Sequence, residues 1–261
     1  MPNYKLLTPG PLTTTDTVKK EMLFDHCTWD DDYKKITLSI REKLLKLAHV
    51  NEPAYTVVLM QGSGTFGVES VLTSVIGEED TLLIAANGAY GERMGDIARH
   101  AGIHYLMYKE DYNKIPSAEK IGEILKEHPE ITHVSMVHSE TTSGILNDIA
   151  SVAKVVKGAG KTFIVDAMSS FGGVDIPVGD LGIRPYIGSE HQGPIITTFL
   201  YPEHHNFSFQ EMYQYIKDRG YAIYPGKVTD ADTFRIGNIG EIYKEDIEKL
   251  CSIIREFLEE R

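Results

Sequence analysis

From about residue 56 onward, short β-branched runs alternate with amphipathic stretches, and this restricts the chain to parallel strands joined by crossover helices. The spacing predicts strands over Thr56 to Met60, Thr81 to Ala85, Ile103 to Tyr108, Thr132 to Val137 and Thr162 to Val165, with helices beginning near Thr65, Gly91, Ser117 and Asn147. A three-layer α/β/α, mainly parallel sheet follows, and ligands of such sheets bind beyond the carboxyl ends of the strands. After Val165 the rhythm breaks. The run from Gly172 to Gly182 is rich in turn residues, and Ile183 to Gln192 has neither period. A domain boundary is expected there: a large domain over 1–182, a junction over 183–193 and a small C-terminal α/β domain over 194–261. In the last, Pro194 to Tyr201, Tyr221 to Tyr224 and Phe234 to Ile236 read as strands. Ser208 to Arg219, stopped by Gly220, and Tyr243 to Leu258 read as helices.

The 261 residues suffice for one large domain with a smaller appendage. With 38 acidic against 26 basic residues and a net charge of -12, long-range repulsion disfavours nucleic acid or an anionic membrane as a partner. Cys27 and Cys251 lie in unlike contexts, so no disulfide framework is expected, and a reducing cytoplasm fits. No apolar run is long enough to span a bilayer and no secretory h-region opens the chain, so a soluble cytoplasmic protein is expected. His138-x-Glu140 is not followed by Pro-Cys-x-x-Cys, and no metal site is expected. Asp30-Asp31-Asp32 reads as a helix N-terminal charge cluster or a loop, and His204-His205 as a solvent-facing turn.

The chemistry concentrates at the predicted strand ends. Gln61-Gly62-Ser63-Gly64-Thr65-Phe66-Gly67 turns from an apolar run into a helical pattern, the arrangement that offers backbone N–H groups and a helix N-terminus to a phosphate. These letters also spell Gly-x-Gly-x-x-Gly. A dinucleotide site, however, needs an acidic residue at the end of the next strand, where Ala86-Asn87-Gly88-Ala89-Tyr90 stands instead; Glu78, Glu79 and Asp80 precede that strand. The Gly-Lys-Ser/Thr ending of a nucleotide P-loop is also missing. Tyr90 can stack on a flat heteroaromatic ring. Asp166 ends the apolar Phe163-Ile164-Val165 and needs a cationic partner if it is buried there, and Thr142 lies in the polar run after the preceding strand. A phosphate cradle, a stacking aromatic and a carboxylate for a protonated pyridine nitrogen together describe pyridoxal 5′-phosphate.

At these residues the chain resembles the class V, fold-type I aminotransferases, and within them the branch that transfers the amine of 2-aminoethylphosphonate to pyruvate. The supporting stretches are Leu7-Thr8-Pro9-Gly10-Pro11-Leu12, Gly62-Ser63-Gly64-Thr65, Ala86-Asn87-Gly88-Ala89-Tyr90-Gly91, Glu140-Thr141-Thr142-Ser143-Gly144, Val165 to Gly173 and Phe234-Arg235-Ile236-Gly237. Asp25 to Asp30 looks like the phosphonate branch in particular. The resemblance implies that Ser63, Gly64 and Thr65 bind the cofactor phosphate, Tyr90 covers the ring, Thr142 lies beside it and Asp166 pairs with the pyridine nitrogen. Arg235 would grip the carboxylate of the amino acceptor, and Thr8, Pro9 and Gly10 would line the substrate mouth. Small-molecule amine and 2-oxo acid substrates and a homodimer are implied as well.

One residue that the resemblance demands is missing. A lysine amine should follow the strand after Asp166, yet no lysine occurs between Lys161 and Lys217. The resemblance therefore implies an internal deletion near Ile183 to Gln192 and a truncated large domain, with no catalytic lysine left. Lys227, in Tyr224-Pro225-Gly226-Lys227, is a substitute that nothing in the sequence favours. Three readings remain open: an aminotransferase by descent whose catalysis is crippled, a noncatalytic remnant that binds cofactor or pairs with a full-length subunit, and a nucleotide-binding oxidoreductase.

Overall fold

The computed structural model describes residues 4–48, 55–170, 193, 195–203 and 207–259. By contacts the chain divides into two compact units, one of Met1–Thr13 with Val68–Arg261 and a smaller one of Thr14–Gly67. The junction expected over 183–193 lies, apart from Gly193, outside the described residues, as does His204-His205.

In chain order the elements begin with β1 (Lys5–Leu6), α1 (Asp16–Glu21), α2 (Asp31–Leu47) and α3 (Gly64–Val75). Next come β2 (Thr81–Ala86), α4 (Ala89–Ala101), β3 (His104–Lys109), α5 (Ala118–Glu127) and β4 (Ile131–Val137). A short hairpin of β5 (Ser139–Glu140) and β6 (Ile145–Leu146) precedes α6 (Ile149–Gly158) and β7 (Thr162–Asp166). Asp30 caps α2 by accepting from the Asp32 N–H, which gives the aspartate cluster its helix N-terminal role.

The larger unit is built on the parallel sheet β3-β2-β4-β7. Alternation along the strands sorts the core into two layers. Leu83, Ala85, Val134 and Met136 pack with Ile121 and Leu125 of α5 and Val152 and Val156 of α6. Leu82, Ile84, Ala86 and Val137 pack with Leu72 of α3 and Met94 and Ala98 of α4. Helices thus cover both faces, as the alternation predicted. Ser117 and Asp148 cap α5 and α6 with their side chains, so these helices start within two residues of their expected positions.

The strand expected over Thr56 to Met60 does not form. Residues 55–60 pair with no strand among the described residues, and Val58, Leu59 and Met60 are exposed. β-branched residues make a strand only where a neighbour completes the ladder, and none among the described residues does so for this run.

The C-terminal part adds β8 (Ile196–Leu200), α7 (Phe209–Asp218), β9 (Tyr221–Ala222), β10 (Tyr224–Pro225), β11 (Thr233–Gly237) and α8 (Lys244–Glu259). The antiparallel sheet β10-β11-β8 packs Phe199, Phe234 and Ile236 against Met212 and Ile216 of α7 and Leu250, Ile253, Ile254 and Phe257 of α8. The single strand expected over Tyr221 to Tyr224 is divided. Tyr221–Ala222 pairs with β1, Tyr224–Pro225 pairs with β11, and Ile223 between them is buried in the core.

Candidate active site

The carboxyl ends of β2 and β4 meet at a buried carboxylate. Glu140 is fully buried, and its Oε1 accepts from the Thr142 N–H at 3.0 Å and the Thr142 hydroxyl at 2.6 Å. Its Oε2 accepts from the Gly91 N–H at 3.1 Å, and the Tyr90 N–H adds a further bond. The Thr142 Oγ1 accepts in turn from the Ala89 N–H at 3.0 Å. Glu140 and Thr142 therefore satisfy the first-turn N–H groups of α4 and fix Tyr90 at its start. A Cβ at Gly88 would collide with the Glu140 side chain, so a glycine is needed for this close approach. Burial pushes the Glu140 pKa up, while the bonds from Thr142, Gly91 and Tyr90 oppose that shift. Sequence reading set Glu140 aside with His138 as an incomplete metal signature. The overlooked signal was an acidic side chain three residues beyond an apolar strand.

Beside it, Asn87 and Asn147 exchange reciprocal amide bonds of 2.8 and 3.0 Å. The Asn147 amide also donates to the Val137 carbonyl at 2.9 Å. A fully paired network of this kind holds the ends of β2 and β4 in register.

Arg235 comes from β11 and is buried. Its Nε donates to the Pro225 carbonyl at 3.0 Å and its Nη1 to the Thr141 carbonyl at 2.9 Å. Among the described residues, three of its five N–H groups have no further acceptor, one on Nη1 and two on Nη2, so an outer fork faces a ligand. Burial draws its pKa down, and Tyr90, Tyr224 and Glu140 act in the opposite direction. The Tyr224 ring lies 5.7 Å from the guanidinium. Lys227 Nζ stands 5.3 Å from the centroid of the Tyr90 ring, as does the Arg93 guanidinium carbon.

The Thr8-Pro9-Gly10 turn lies along the same strand. Gly237 donates to the Leu7 carbonyl at 3.0 Å, and Tyr224 donates its hydroxyl to the Gly10 carbonyl at 3.4 Å. A Cβ at Gly237 would sit 2.8 Å from the Thr8 carbonyl carbon, so the turn passes this closely only over glycine. The structure thus brings Tyr90, Thr142, Arg235, Lys227 and the N-terminal turn together within the larger unit.

Asp166 ends β7 opposite Val137, and its carbonyl accepts from the His138 N–H at 2.8 Å. The fully buried strand terminus considered from sequence is not what forms: Asp166 is half-buried, because β7 is the outer strand of the sheet. Its Oδ1 accepts from the Met168 N–H at 3.0 Å, and its Oδ2 has no donor among the described residues.

Ser63, Gly64 and Thr65 belong to the smaller unit. The Ser63 Oγ accepts from the Phe66 N–H at 3.2 Å and its carbonyl from the Gly67 N–H at 3.0 Å, so Ser63 caps α3 and Gly64 and Thr65 occupy the first turn. The first turn of a helix is the part of it at which an anion meets the positive end of the dipole.

His138, between β4 and the hairpin, approaches the Ser170 hydroxyl with Nδ1 at 3.0 Å, and burial pushes its pKa below the usual histidine value. The folded chain therefore binds fewer protons here than the unfolded chain. This contribution to stability is complete above the ordinary histidine pKa of about 6.5 and is lost as pH falls through the depressed folded value. A His138→Asn variant is expected to show a shallower loss of urea midpoint on acidification through this range than the parent. Equal slopes would contradict the assignment.

Residues 27–199 match the family described as Aminotransferase class-V. The chain belongs to that family. It is 42% identical to a 2-aminoethylphosphonate–pyruvate transaminase of Lysinibacillus sphaericus (strain C3-41), over 99% of this chain and 98% of the relative. It is 36% identical to one from Bacteroides fragilis, over 98% of this chain and 99% of the relative. Among solved structures, the fold matches ureidoglycine–glyoxylate aminotransferase from Bacillus subtilis with a TM-score of 0.89 at 17% identity, covering 100% of this chain and 94% of that one. Pyridoxamine–pyruvate aminotransferase from Mesorhizobium loti matches with a TM-score of 0.86 at 18% identity, covering 100% and 93%.

Membership in the class-V aminotransferases removes the oxidoreductase reading of the glycine loop. The alignment to the Lysinibacillus protein runs over 360 positions, and 360 less the 261 residues of this chain leaves at least 99 positions without a counterpart. Because nearly all of both chains is spanned, those positions fall inside the chain rather than at its ends. Pyridoxal 5′-phosphate is the cofactor of class-V aminotransferases, and two groups of the larger unit suit it: the half-buried Asp166 carboxylate, which accepts one N–H bond through Oδ1, and the half-buried ring of Tyr90.

Proposed function

We propose that this class-V aminotransferase holds pyridoxal 5′-phosphate without a covalent link and binds 2-aminoethylphosphonate and pyruvate, with amino transfer between them impaired. The observation that carries this reading is the convergence of Tyr90, Thr142 and Arg235 on Glu140, in a chain with no lysine between Lys161 and Lys217. The relatives' activity, forming phosphonoacetaldehyde and L-alanine, supplies the substrates. No helix among the described residues is long and apolar enough to cross a membrane, and a cytoplasmic place in phosphonate catabolism fits that.

In this reading the first turn at Ser63, Gly64 and Thr65 holds the phosphate, Tyr90 covers one face of the ring, Thr142 borders it, and the Asp166 Oδ2 accepts from the pyridine N–H. The bound cofactor supplies an electron sink for the carbanion left when the substrate loses its Cα proton. Arg235, held from two sides by backbone carbonyls, offers its outer fork to the carboxylate of the acceptor without the reorganisation a free side chain would need. Thr8, Pro9 and Gly10 line the approach. The proton leaving Cα has no lysine amine to carry it, and this limits turnover. The deletion that removed that lysine is placed near Ile183 to Gln192, between a partial large domain over 1–182 and a small domain over 194–261.

A homodimer is part of the proposal. In the smaller unit Met22, Leu23, Phe24 and Trp29 are exposed, and clustered apolar side chains of this size favour burial against a second surface. Sedimentation at micromolar concentration is expected to give twice the chain mass.

Titration of the purified chain with pyridoxal phosphate, followed by visible absorbance, tests the cofactor assignment. Saturable binding is expected, weakened about tenfold or more by Asp166→Ala through loss of a charge-assisted bond. Absence of saturable binding would overturn the assignment.

A further inference from the structure

Three cationic side chains converge on Tyr90 in a chain of net charge -12. Lys227 Nζ and the Arg93 guanidinium carbon each lie 5.3 Å from the Tyr90 ring centroid, and Arg235 interacts electrostatically with the same residue. Arg235 can serve either a carboxylate or a phosphonate, because its outer fork fits two oxygens of each. Its single positive charge balances only one of the two negative charges of a phosphonate dianion.

Lys227 differs from Arg235 in its setting. It is exposed, it follows Tyr224-Pro225-Gly226 at the end of β10, and no carboxylate among the described residues pairs with it. Its backbone is nevertheless fixed close by. The Gly226 N–H donates to the Thr233 carbonyl at 2.8 Å, and a Cβ at Gly226 would lie 2.6 Å from that carbonyl oxygen, so β10 runs tight against β11 up to the residue before Lys227. The Pro225 carbonyl, two residues before Lys227, accepts from Arg235. One strand pair and the turn that follows it therefore carry both cations, one buried and forked, the other exposed, toward the same aromatic ring.

We propose that Lys227 is the specificity-determining residue that adds selectivity for a phosphonate dianion over a carboxylate at the Arg235 site. This rests on the function proposed above for its substrate class, and it gives Lys227 a substrate-binding role rather than that of a replacement Schiff-base lysine. Arg235 takes one negative charge by its fork and Lys227 takes the second as a point charge, which suits an ammonium on a flexible stem. A monoanionic carboxylate engages Arg235 and gains little from Lys227.

The test compares ethylphosphonate with propanoate, which share a two-carbon chain and lack the amine, by calorimetric titration of the full chain without cofactor. At alkaline pH the parent is expected to prefer ethylphosphonate. Lys227→Gln is expected to weaken ethylphosphonate about tenfold and propanoate less than twofold, and acidification of the parent to the phosphonate monoanion is expected to shrink the preference likewise. Arg235→Lys is expected to weaken both anions. Equal effects of Lys227→Gln on the two anions, no effect on either, or a parent without preference would overturn the proposal. Cofactor binding is read separately by absorbance, so its failure would sink the cofactor assignment while leaving the anion comparison interpretable.

Discussion

Replacement of Glu140 by alanine is expected to lower stability by about 3 kcal/mol or more, seen as a fall in urea midpoint, and to weaken pyridoxal phosphate binding in the same variant. The carboxylate is fully buried and accepts from Thr142 twice and from the N–H groups of Gly91 and Tyr90. Each buried donor left without an acceptor costs about 1–3 kcal/mol, and the vacated volume adds a cavity term. Removing a desolvated carboxyl gives some of this back, but the donors outnumber it and α4 loses its N-terminal acceptor. Glu140→Gln is a milder variant: one oxygen is retained, while the amide N–H₂ faces a donor. Because burial raises the folded pKa, the carboxyl contributes most below the usual glutamate range, and that contribution declines as pH rises toward the elevated value. The gap between parent and Glu140→Ala is therefore expected to be wider at low pH than at neutral pH. An unchanged midpoint would show that this carboxylate does not organise the start of α4.

Arg235→Ala is expected to abolish measurable binding of propanoate and ethylphosphonate and to cost about 2–4 kcal/mol of stability. The Pro225 and Thr141 carbonyls lose their donor, and a buried side chain is replaced by a void. Thr141 lies in the β5–β6 hairpin and Pro225 in β10, so the guanidinium joins the two halves of the larger unit. Arg235→Lys retains charge but cannot reproduce two fixed carbonyl bonds and an outer fork together. It is expected to recover part of the stability and little of the binding. Retained anion affinity in Arg235→Ala would place the anion site elsewhere.

The parallel sheet was legible because β2, β3, β4 and β7 are short apolar runs separated by amphipathic helices, two of which, α5 and α6, carry local side-chain caps. Ser117 and Ser208 cap α5 and α7 where the sequence predicts a start. Thr56 to Met60 carries an equally strong local signal and forms no strand, because strand formation requires a neighbour that no local pattern can guarantee.

The site was legible as residue types more than as an arrangement. Tyr90, Thr142 and Arg235 stand out at strand ends or in motifs, and the larger unit brings them together. Glu140 was passed over because its role depends on Gly88 and Gly91, about fifty residues earlier, coming within reach of its carboxyl group. The contact of Lys227 with Tyr90 was not legible for the same reason. Its approach to Tyr90 joins the end of β10 to the start of α4, a contact set by the tertiary fold and not by any pattern around either residue.

Incubating the chain with pyridoxal phosphate, reducing it with borohydride and mapping modified peptides, while assaying alanine formation from 2-aminoethylphosphonate and pyruvate, addresses the proposed half-site most directly. Saturable cofactor absorbance, no site-specific pyridoxyl-lysine and negligible alanine are predicted. A stoichiometric pyridoxyl group on Lys227 together with sustained alanine formation would contradict a cofactor held without a lysine.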